Sequence, residues 1–285
     1  MSITKRKQKE WRDKIADQRT MERSNYPGAP SAAKGIIAVY RELIMKAVKN
    51  KKHFKALVLG ATPEIRDLVL ELGGSLVTLD VSTDMIVKCN KLMRYAGHKK
   101  EKIIIGDWLE SGLADNSFDV VIGDGVTNNI SVKDHSRFFK ENHRLLKKDG
   151  YLIIREFVFN SKIAPDSVKK ITQKFDRGVS HWFDMFLSLY INSELKPKIY
   201  NRKQCRLYMK KLFDHLYLYY KKGELSQKAF DAMWWFRSNI IHTFVEKEVL
   251  EKNMTDFFQL LPVKQADNFF FTKNYALFFF GQVKK

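Results

Sequence analysis

Between residues 56 and 159, short apolar runs alternate with segments of helical periodicity, and this alternation constrains the fold more than any other feature of the chain. The apolar runs are KALVLG, SLVTLD, KIIIGD, FDVVIGDG and YLIIREF. Runs this short and this continuously apolar are typical of strands buried on both faces. Because helical segments separate them, the sequence predicts an α/β fold with a mostly parallel sheet and right-handed crossovers.

The segments around these runs predict helices. TPEIRDLVLELG, STDMIVKCNKLMRYAG and DHSRFFKENHRLLKKDG have apolar residues at helical spacing, and glycine follows each. After Phe159 the alternation stops, and residues 161–265 predict mainly helices, including RLYMKKLFDHLYLYY and DAMWWFRSNIIHTF. The final NFFFTKNYALFFFGQV predicts an antiparallel hairpin that turns at residues 272–274. Residues 4–20 and 34–50 predict two further helices near the start.

Basic residues are concentrated towards the two ends of the chain, whose net charge is +19. Residues 1–55 hold 15 basic and 5 acidic residues, and residues 161–285 hold 22 and 12. Residues 56–160 hold 14 and 15. An ordinary solvated surface explains such charge, and a positive field that attracts an anionic partner such as nucleic acid explains it too. Both alternatives stay open at this point.

The sequence also suggests a cellular compartment. No apolar run approaches the roughly 20 residues that cross a bilayer, and no apolar stretch follows the basic start, so we expect neither a membrane partner nor a secretory signal. Cys89 and Cys205 lie far apart in sequence and fit no metal-ligand spacing. We therefore expect a cytoplasmic protein with reduced thiols and no metal site.

The predicted strands end in small and acidic residues. The first runs into Gly60-Ala61-Thr62, where a small-residue turn lets ligand atoms lie against the backbone, and Pro63 suits the first turn of a helix. The second ends in Asp80, at a spacing from the glycine turn where a carboxylate accepts hydrogen bonds from both ribose hydroxyls. Ligands bind at this edge of open parallel sheets.

The third and fourth strand ends carry further aspartates. Asp107 could accept a hydrogen bond from an exocyclic amine such as that of adenine, beside the ring surface of Trp108. Asp124 lies between two glycines, including Gly125, and could meet a cationic amine of a ligand. A single acid at a strand end is commonly a helix N-cap. Four consecutive strand ends that each supply a small residue or a carboxylate favour a ligand site instead.

These motifs resemble those of the class I (Rossmann-like) S-adenosylmethionine-dependent methyltransferases. VLGATPE resembles the first motif of the family in a "GxTPE" variant, LDVSTDMI the second, GDW the third and SFDVVIGDG the fourth. LLKKDGYLIIRE resembles the segment that leads into the fifth strand. The resemblance covers about residues 56–159 and 266–283. Most of the family carries GxGxG in the first turn, whereas here Glu64 stands in the place of the third glycine.

The resemblance implies a fold, a cofactor and a set of contacts. The fold is a Rossmann-like doubly wound sheet with a reversed final strand, formed by residues 56–160 and 266–285. Residues 1–55 are then a basic helical segment and residues 161–265 a helical insertion. The cofactor is S-adenosylmethionine. Its expected contacts are Gly60, Ala61, Thr62, Asp80, Val81, Met85, Asp107, Trp108, Asp124 and Gly125.

The acceptor pocket is expected between the strand ends, the N-terminal segment and the insertion, which would form a lid. The substrate-binding candidates are Tyr26, Asn128, Asn129 and Trp182, with His181, Trp234, Trp235 and His242 as further possibilities. For the aromatic residues, packing between helices is the alternative, and for the asparagines it is an ordinary turn. His135 and His143 lie on a predicted helix away from this pocket, and we expect them at the surface.

The sequence therefore predicts an enzyme that transfers a methyl group, with no catalytic residue assigned. We expect a small-molecule acceptor, because the Asn/Asp-Pro-Pro-aromatic motif of methyltransferases that modify base amino groups is absent. A methyltransferase acting on RNA or protein is the first alternative, because of the basic flanks. A non-catalytic RNA-binding protein on the same fold is another. An NAD-dependent oxidoreductase is less consistent with the sequence, because GxGxxG is missing.

Overall fold

The computed structural model describes residues 34–49, 51–160, 162–180, 182–234, 237–266 and 276–284. Its strands are β1 (Lys55–Leu59), β2 (Ser75–Asp80), β3 (Glu101–Ile105), β4 (Phe118–Asp124), β5 (Leu146–Phe157), β6 (Tyr200–Asn201), β7 (Arg206–Tyr208), β8 (Ile241–Thr243), β9 (Phe258–Lys264) and β10 (Ala276–Val283). Seven of them form one sheet in the order β3-β2-β1-β4-β5-β10-β9. The first five strands of the chain pair in parallel, and β10 lies antiparallel between β5 and β9. The predicted α/β class, mostly parallel sheet and final antiparallel pair are confirmed.

Helices cover both faces of this sheet. They are α1 (Lys34–Ala47), α2 (Pro63–Glu71), α3 (Thr83–Asn90), α4 (His135–Leu145), α5 (Val168–Asp176), α6 (Trp182–Ile191), α7 (Lys196–Ile199), α8 (Met209–Lys221), α9 (Gln227–Trp234) and α10 (Lys247–Thr255). Apolar residues of α1 and α2 pack with β1, β4 and β10 in one buried cluster. Residues of α4 and α10 pack with the opposite face of the same strands in another. The two clusters make the three-layer arrangement typical of doubly wound folds.

The helix after β2 is shorter than its sequence pattern predicts. The pattern extends to Gly97, whereas α3 ends at Asn90 and turns follow. The backbone N–H groups of Arg94 and Tyr95 donate to the carboxylate of Asp67 in α2, at 2.9 and 3.0 Å. These N–H groups bond outside the segment and therefore do not continue the helical ladder.

The segment LLKKDG belongs to β5 rather than to the helix before it. Helix α4 ends at Leu145, and β5 begins at the next residue. The pairing of β4 with β5 shifts register between Phe118 and Val120, which indicates an irregularity in this part of β5. A Cβ at Gly150 would lie 2.9 Å from the carbonyl oxygen of Lys147, so this close turn requires glycine.

The segment predicted to be mainly helical also contains strands, which corrects the prediction. Strands β6, β7 and β8 form a small antiparallel sheet among helices α5–α9. DAMWWFRSNIIHTF was expected to be one helix, yet α9 ends at Trp234 and β8 occupies Ile241–Thr243. The β-branched residues of IIHT favour a strand. Residues of α5, α6, α8 and α9 build a hydrophobic core separate from the two sheet cores.

The strand that pairs with β10 lies earlier in the chain than expected. It is β9, at Phe258–Lys264, within the segment predicted to be helical. The expected first arm and its turn at residues 272–274 lie outside the described residues. Among the helices that the structure describes, none is long and apolar enough to cross a membrane.

Candidate functional site

The turn after β1 brings the first three strand ends together. Gly60 has φ +96°, in the region that favours glycine, and its N–H donates to the carbonyl of Leu79 in β2 at 2.9 Å. A Cβ at this position would lie 3.6 Å from Cζ2 of Trp108 and 3.9 Å from Oδ2 of Asp80. Helix α2 then begins at Pro63, and the buried Thr62 at its N-cap makes no side-chain capping bond. The turn is therefore a compact backbone surface beside an acid and an aromatic ring.

Asp80, at the end of β2, is a buried carboxylate held by backbone groups. Its Oδ1 accepts from the N–H of Ser82 at 2.8 Å. Burial raises the pKa of Asp80 to about 6, and hydrogen bonds from the backbone of Ser82, Ala61 and Val81 oppose that rise. Because Ala61 belongs to the first turn and Val81 to the second, the carboxyl group joins these two turns.

The third strand end adds an indole and a second acid. Trp108 donates its Nε1–H to the carbonyl of Leu79 at 2.9 Å, which fixes the ring against the end of β2. Asp107 accepts from the N–H of Leu109 through Oδ1 at 2.9 Å. Met85, in the first turn of α3, is buried in a small cluster with Ala61. The structure thus brings Gly60, Ala61, Asp80, Met85 and Trp108 together, as the sequence predicts.

Asp124, at the end of β4, faces a cation of the protein itself. Arg155, on the adjacent strand β5, donates to both of its carboxylate oxygens, at 2.7 and 3.0 Å, and both side chains are almost fully buried. Tyr40 of α1 lies beside this pair and donates its hydroxyl to the carbonyl of Gly123 at 2.9 Å. Burial, followed by the nearby Asp124 carboxylate, raises the pKa of Tyr40. The contact of Asp124 with a cofactor stays a prediction.

A second buried acid lies at the end of β5. Glu156 is fully buried, and its Oε2 accepts from the N–H of Thr127 at 3.1 Å and from its hydroxyl at 2.6 Å. Burial raises the pKa of Glu156 to about 8; the bonds from Thr127 lower it, the charge of Asp124 raises it, and the backbone N–H of Asn128 lowers it. Thr127 begins a short 3-10 helix that directly follows the end of β4. The carboxyl group therefore joins the ends of β4 and β5.

His135 is buried at the first turn of α4, which corrects the prediction that it lies at the surface. It is 1% exposed, and its Nε2 lies 3.2 Å from the carbonyl oxygen of Thr127. Burial lowers the pKa of His135 to about 4, although the bond to Thr127 opposes this. His135 therefore packs next to the loop after β4. The second histidine of α4, His143, is half-buried and packs against the rings of Phe257 and Phe258.

The two asparagines after β4 bond to backbone groups. The Nδ2 of Asn128 donates to the carbonyls of Phe157 and Thr243, both at 2.8 Å, and its Oδ1 accepts from the N–H of Phe157 at 2.9 Å. Asn129 donates to the carbonyl of Gly125 at 2.8 Å. Asn128 thus connects β5 to β8. A role of either side chain in substrate binding stays a prediction.

Of the remaining acceptor candidates, those that the structure describes lie in the segment after β5. Trp182 and Trp234 pack against its hydrophobic core, and His242 Nδ1 lies 3.1 Å from the hydroxyl of Tyr190. Tyr26 falls outside the described residues, as do His181 and Trp235. Within the described ranges, no group of three or more His, Cys, Asp and Glu side chains is placed to hold a metal ion.

A family model identifies the central part of the chain. The model of a methyltransferase domain matches residues 59–154, from the end of β1 to β5. The matched segment covers about a third of the chain and holds β2, β3 and β4 with most of β5. No curated protein matches the whole sequence closely enough to serve as a relative.

Solved structures share the fold of this chain. A Methanosarcina mazei S-adenosylmethionine-dependent methyltransferase is 18% identical, with a TM-score of 0.52, over 82% of this chain and 93% of its own. A Burkholderia thailandensis 1,6-didemethyltoxoflavin N1-methyltransferase is 10% identical, with a TM-score of 0.54, over 95% and 88%. A Rhodobacter sphaeroides protein named as a zinc-dependent alcohol dehydrogenase is 14% identical, with a TM-score of 0.56, over 95% and 99%. At such identities, these similarities establish the fold alone.

The predicted site did not include four buried polar residues around the ends of β4 and β5. They are Tyr40, Thr127, Arg155 and Glu156. One signal was available, because YLIIREF places an arginine and a glutamate together in a strand that is otherwise apolar. Charged residues are rarely fully buried unless they are paired, so this dipeptide pointed to buried partners. Tyr40 and Thr127 had no comparable signal, because their bonds depend on tertiary contacts.

Proposed function

We propose that this protein transfers a methyl group from S-adenosylmethionine to a small-molecule acceptor. The observation that carries the cofactor half of the proposal is the buried Asp80 carboxylate. It is held by backbone N–H groups beside the glycine turn and the indole of Trp108. A carboxylate accepts hydrogen bonds from the two hydroxyls of a ribose, and a glycine turn admits close approach of the rest of the nucleoside.

The strand ends divide into a cofactor half and an acceptor half. The cofactor half comprises the ends of β1, β2 and β3. Here Gly60, Ala61 and Thr62, in a "GxTPE" form of the first motif, line the amino-acid part of the cofactor, and Asp80 binds the ribose. Around the adenine lie Val81, Met85, Asp107 and Trp108.

The acceptor half comprises the ends of β4 and β5 with the loop between Asp124 and Ile130. Asp124 and Gly125 lie at the border of the two halves. When bound, the sulfonium supplies an activated methyl carbon. The protein then places the acceptor in line with that carbon and excludes water. The segment 161–265 forms the acceptor-side lid, and the bond from Asn128 to the carbonyl of Thr243 connects it to the acceptor half.

Two observations favour a small acceptor. The lid has a hydrophobic core of its own and an anchor at the loop after β4. The Burkholderia enzyme of the same fold was solved with 1,6-didemethyltoxoflavin and S-adenosylhomocysteine bound. A covered site of this kind suits a ligand that it can enclose.

Calorimetry and a labelling screen test the proposal. S-adenosylmethionine should bind the wild-type chain, and binding should weaken in Asp80→Ala while Asp67→Ala, an acid away from the strand ends, leaves it unchanged. Methyl-labelled cofactor should then label a compound in a metabolite extract. Absence of cofactor binding at millimolar ligand contradicts the whole proposal. Labelling confined to the RNA or protein fraction contradicts only the small acceptor.

An RNA acceptor is the second candidate, because residues 161–285 hold 22 basic and 12 acidic residues. Binding through phosphates depends steeply on salt concentration. If RNA is the acceptor, labelling should appear in total RNA and should fall steeply as salt rises. A metabolite acceptor should show little of this dependence.

A further inference from the structure

Four buried polar atoms without a hydrogen-bond partner belong to side chains that bond to the end of β4 or to the loop that follows it. They are Nη1 of Arg155, Oε1 of Glu156, Nδ1 of His135 and Oδ1 of Asn129. The other polar atoms of these side chains bond to Asp124, Thr127 and Gly125, so all four side chains belong to the acceptor half. Buried polar groups in native proteins are paired with protein, water or ligand. Arg155 faces Tyr40 of α1, whereas Glu156 and His135 both bond to Thr127 on the other face of β5, so their two unpartnered atoms indicate where a ligand completes the hydrogen bonding.

Glu156 is the member of this set that can exchange a proton with a ligand. Its Oε2 accepts two hydrogen bonds from Thr127, so a proton on the neutral carboxyl group lies on Oε1. When the group ionises, Oε1 is the oxygen that is left to accept. The bonds to Thr127 also oppose an exchange of the two oxygens, so they favour the proton on Oε1.

The surroundings keep this carboxyl group without a cation of its own. Arg155 is bonded to both oxygens of Asp124, and the Asp124 charge opposes ionisation of Glu156. From the neighbouring strand β10, the residue in register is the apolar Leu277. Burial places the pKa of Glu156 at about 8, so the neutral and ionised forms are both populated at mildly alkaline pH.

His135 holds the other side of the same loop. The carbonyl of Thr127 can only accept, so a neutral His135 donates from Nε2 and carries its lone pair on Nδ1. Because burial lowers the pKa of His135 to about 4, it adds no positive charge near Glu156 at neutral pH. Thr127 is therefore bonded on one side to α4 and on the other to β5, and it acts as a positioning residue for Glu156.

We propose that Glu156 is a catalytic residue whose Oε1 binds the N–H or O–H group of the acceptor and takes its proton during methyl transfer. The inference rests on the proposed function. The nucleophilic nitrogen or oxygen forms a bond to the methyl carbon, and the carbon–sulfur bond breaks with its electron pair going to sulfur. The acceptor's proton passes to Oε1. The acceptor is a neutral compound. The Asp124 carboxylate lies close to Glu156, and Arg155, which is already bonded to Asp124, is not available to pair with a charged acceptor.

Methyl transfer measured against pH tests this assignment. The wild-type chain and Glu156→Gln are compared with methyl-labelled S-adenosylmethionine and a metabolite extract, from about pH 6 to about pH 10, on either side of the expected midpoint. The wild-type rate should rise with pH around a midpoint near 8. Glu156→Gln should be slower by a factor of about 100 or more, without that rise. Cofactor binding by calorimetry should be unchanged, because Glu156 lies outside the cofactor half.

Three further variants distinguish catalysis from a structural role. Thr127→Val removes the hydroxyl that stabilises the ionised carboxylate, so the midpoint should move to higher pH, and Thr127→Ser should restore it. Asn142→Leu is the matched control. Asn142 in α4 is also buried, with an unpartnered Oδ1, and its Nδ2 donates to Phe138 within the same helix. It should keep the wild-type rate and midpoint.

The outcomes separate this inference from the proposed function. If the wild-type chain labels RNA or protein instead, the same variants are compared on that fraction, and only the small acceptor is overturned. A Glu156→Gln variant with the wild-type rate and pH profile overturns the catalytic role while the methyltransferase proposal stands. A wild-type chain that labels none of the three fractions overturns both.

Discussion

The cofactor half and the acceptor half hold their acids in different ways. In the cofactor half, Asp80 is held by backbone N–H groups that lie next to it in the chain or in the adjoining turn. In the acceptor half, the side chain of Arg155 holds Asp124, and the hydroxyl and N–H of Thr127 hold Glu156, so the partners come from other elements of the chain. The first arrangement follows from strand ends and turns, whereas the second depends on which side chains meet after folding.

This difference has an energetic consequence. The sheet fixes the backbone groups around Asp80 whether or not the carboxylate is present. Removing the acid therefore leaves few buried charges without a partner. In the acceptor half each partner compensates the burial of the other, and loss of one leaves a buried charge or dipole uncompensated. Substitutions there should therefore affect stability, whereas substitutions in the cofactor half should mainly affect binding.

The largest expected effect is the loss of the cation beside Asp124. Arg155→Met keeps the bulk of the side chain but leaves the Asp124 carboxylate buried without its partner. We expect the free energy of unfolding to fall by about 3–5 kcal/mol, the range for breaking a buried ion pair. Urea unfolding measures it. The double variant Asp124→Leu with Arg155→Met should recover most of the loss, and a double variant as unstable as the single one would show that the arginine acts through packing.

Unlike Arg155→Met, Glu156→Gln should raise the free energy of unfolding, by an amount that depends on pH. The pKa of Glu156 is about 8 in the folded chain and about 4.5 when unfolded, so its favourable contribution is full below pH 4.5 and is lost as the pH rises through 8. Above pH 8 the glutamine variant should be more stable by about 2–4 kcal/mol, and near pH 4.5 the two should be equal. Thermal unfolding at both pH values measures the difference, and a difference that does not vary with pH would contradict the assigned pKa.

In the cofactor half, Asp80→Ala should weaken the binding of S-adenosylmethionine by about 1–3 kcal/mol, because the ribose hydroxyls lose a charged acceptor. Wild-type affinity should also fall as the pH drops through about 6, where Asp80 becomes protonated, and Asp80→Ala should lack this dependence. Calorimetry at several pH values measures both. Stability should change much less than in Arg155→Met, and an equal loss would remove the contrast between the two halves.

The proximity of Gly60, Asp80 and Trp108 was predictable because its information is local. Gly60 ends an apolar run, and Asp80 ends the next, so the parallel order of the strands alone brings them together. The same reasoning identified Trp108 from its place after the third strand. The helix ends were predicted wrongly where a long-range hydrogen bond interrupts the local sequence pattern. Helix α3 ends early because Asp67 takes two backbone N–H groups, and no periodicity in STDMIVKCNKLMRYAG shows this.

The acceptor half was predicted less well because its contacts are long-range. Asn128 was recognised only as a possible ligand contact, yet it bonds to the carbonyl of Thr243, 115 residues away. His135 follows an acidic residue in a polar helix and has the pattern of a surface residue, but the carbonyl of Thr127 gives it a buried partner. Such pairings depend on the tertiary arrangement of α4 and of the segment after β5, and single-sequence patterns do not encode them.

The smallest expected effect concerns Trp108, where binding and stability can be separated. Trp108→Phe keeps an aromatic ring beside the proposed adenine position but removes the N–H that donates to Leu79. Loss of one hydrogen bond should cost about 0.5–1.5 kcal/mol of stability. Cofactor affinity should fall less than in Asp80→Ala, whereas Trp108→Leu should lose affinity further because the ring is gone. Urea unfolding and calorimetry on both variants measure these changes. If phenylalanine and leucine weaken binding equally, the ring does not stack on the adenine, and the cofactor half then relies on its carboxylate and glycine turn.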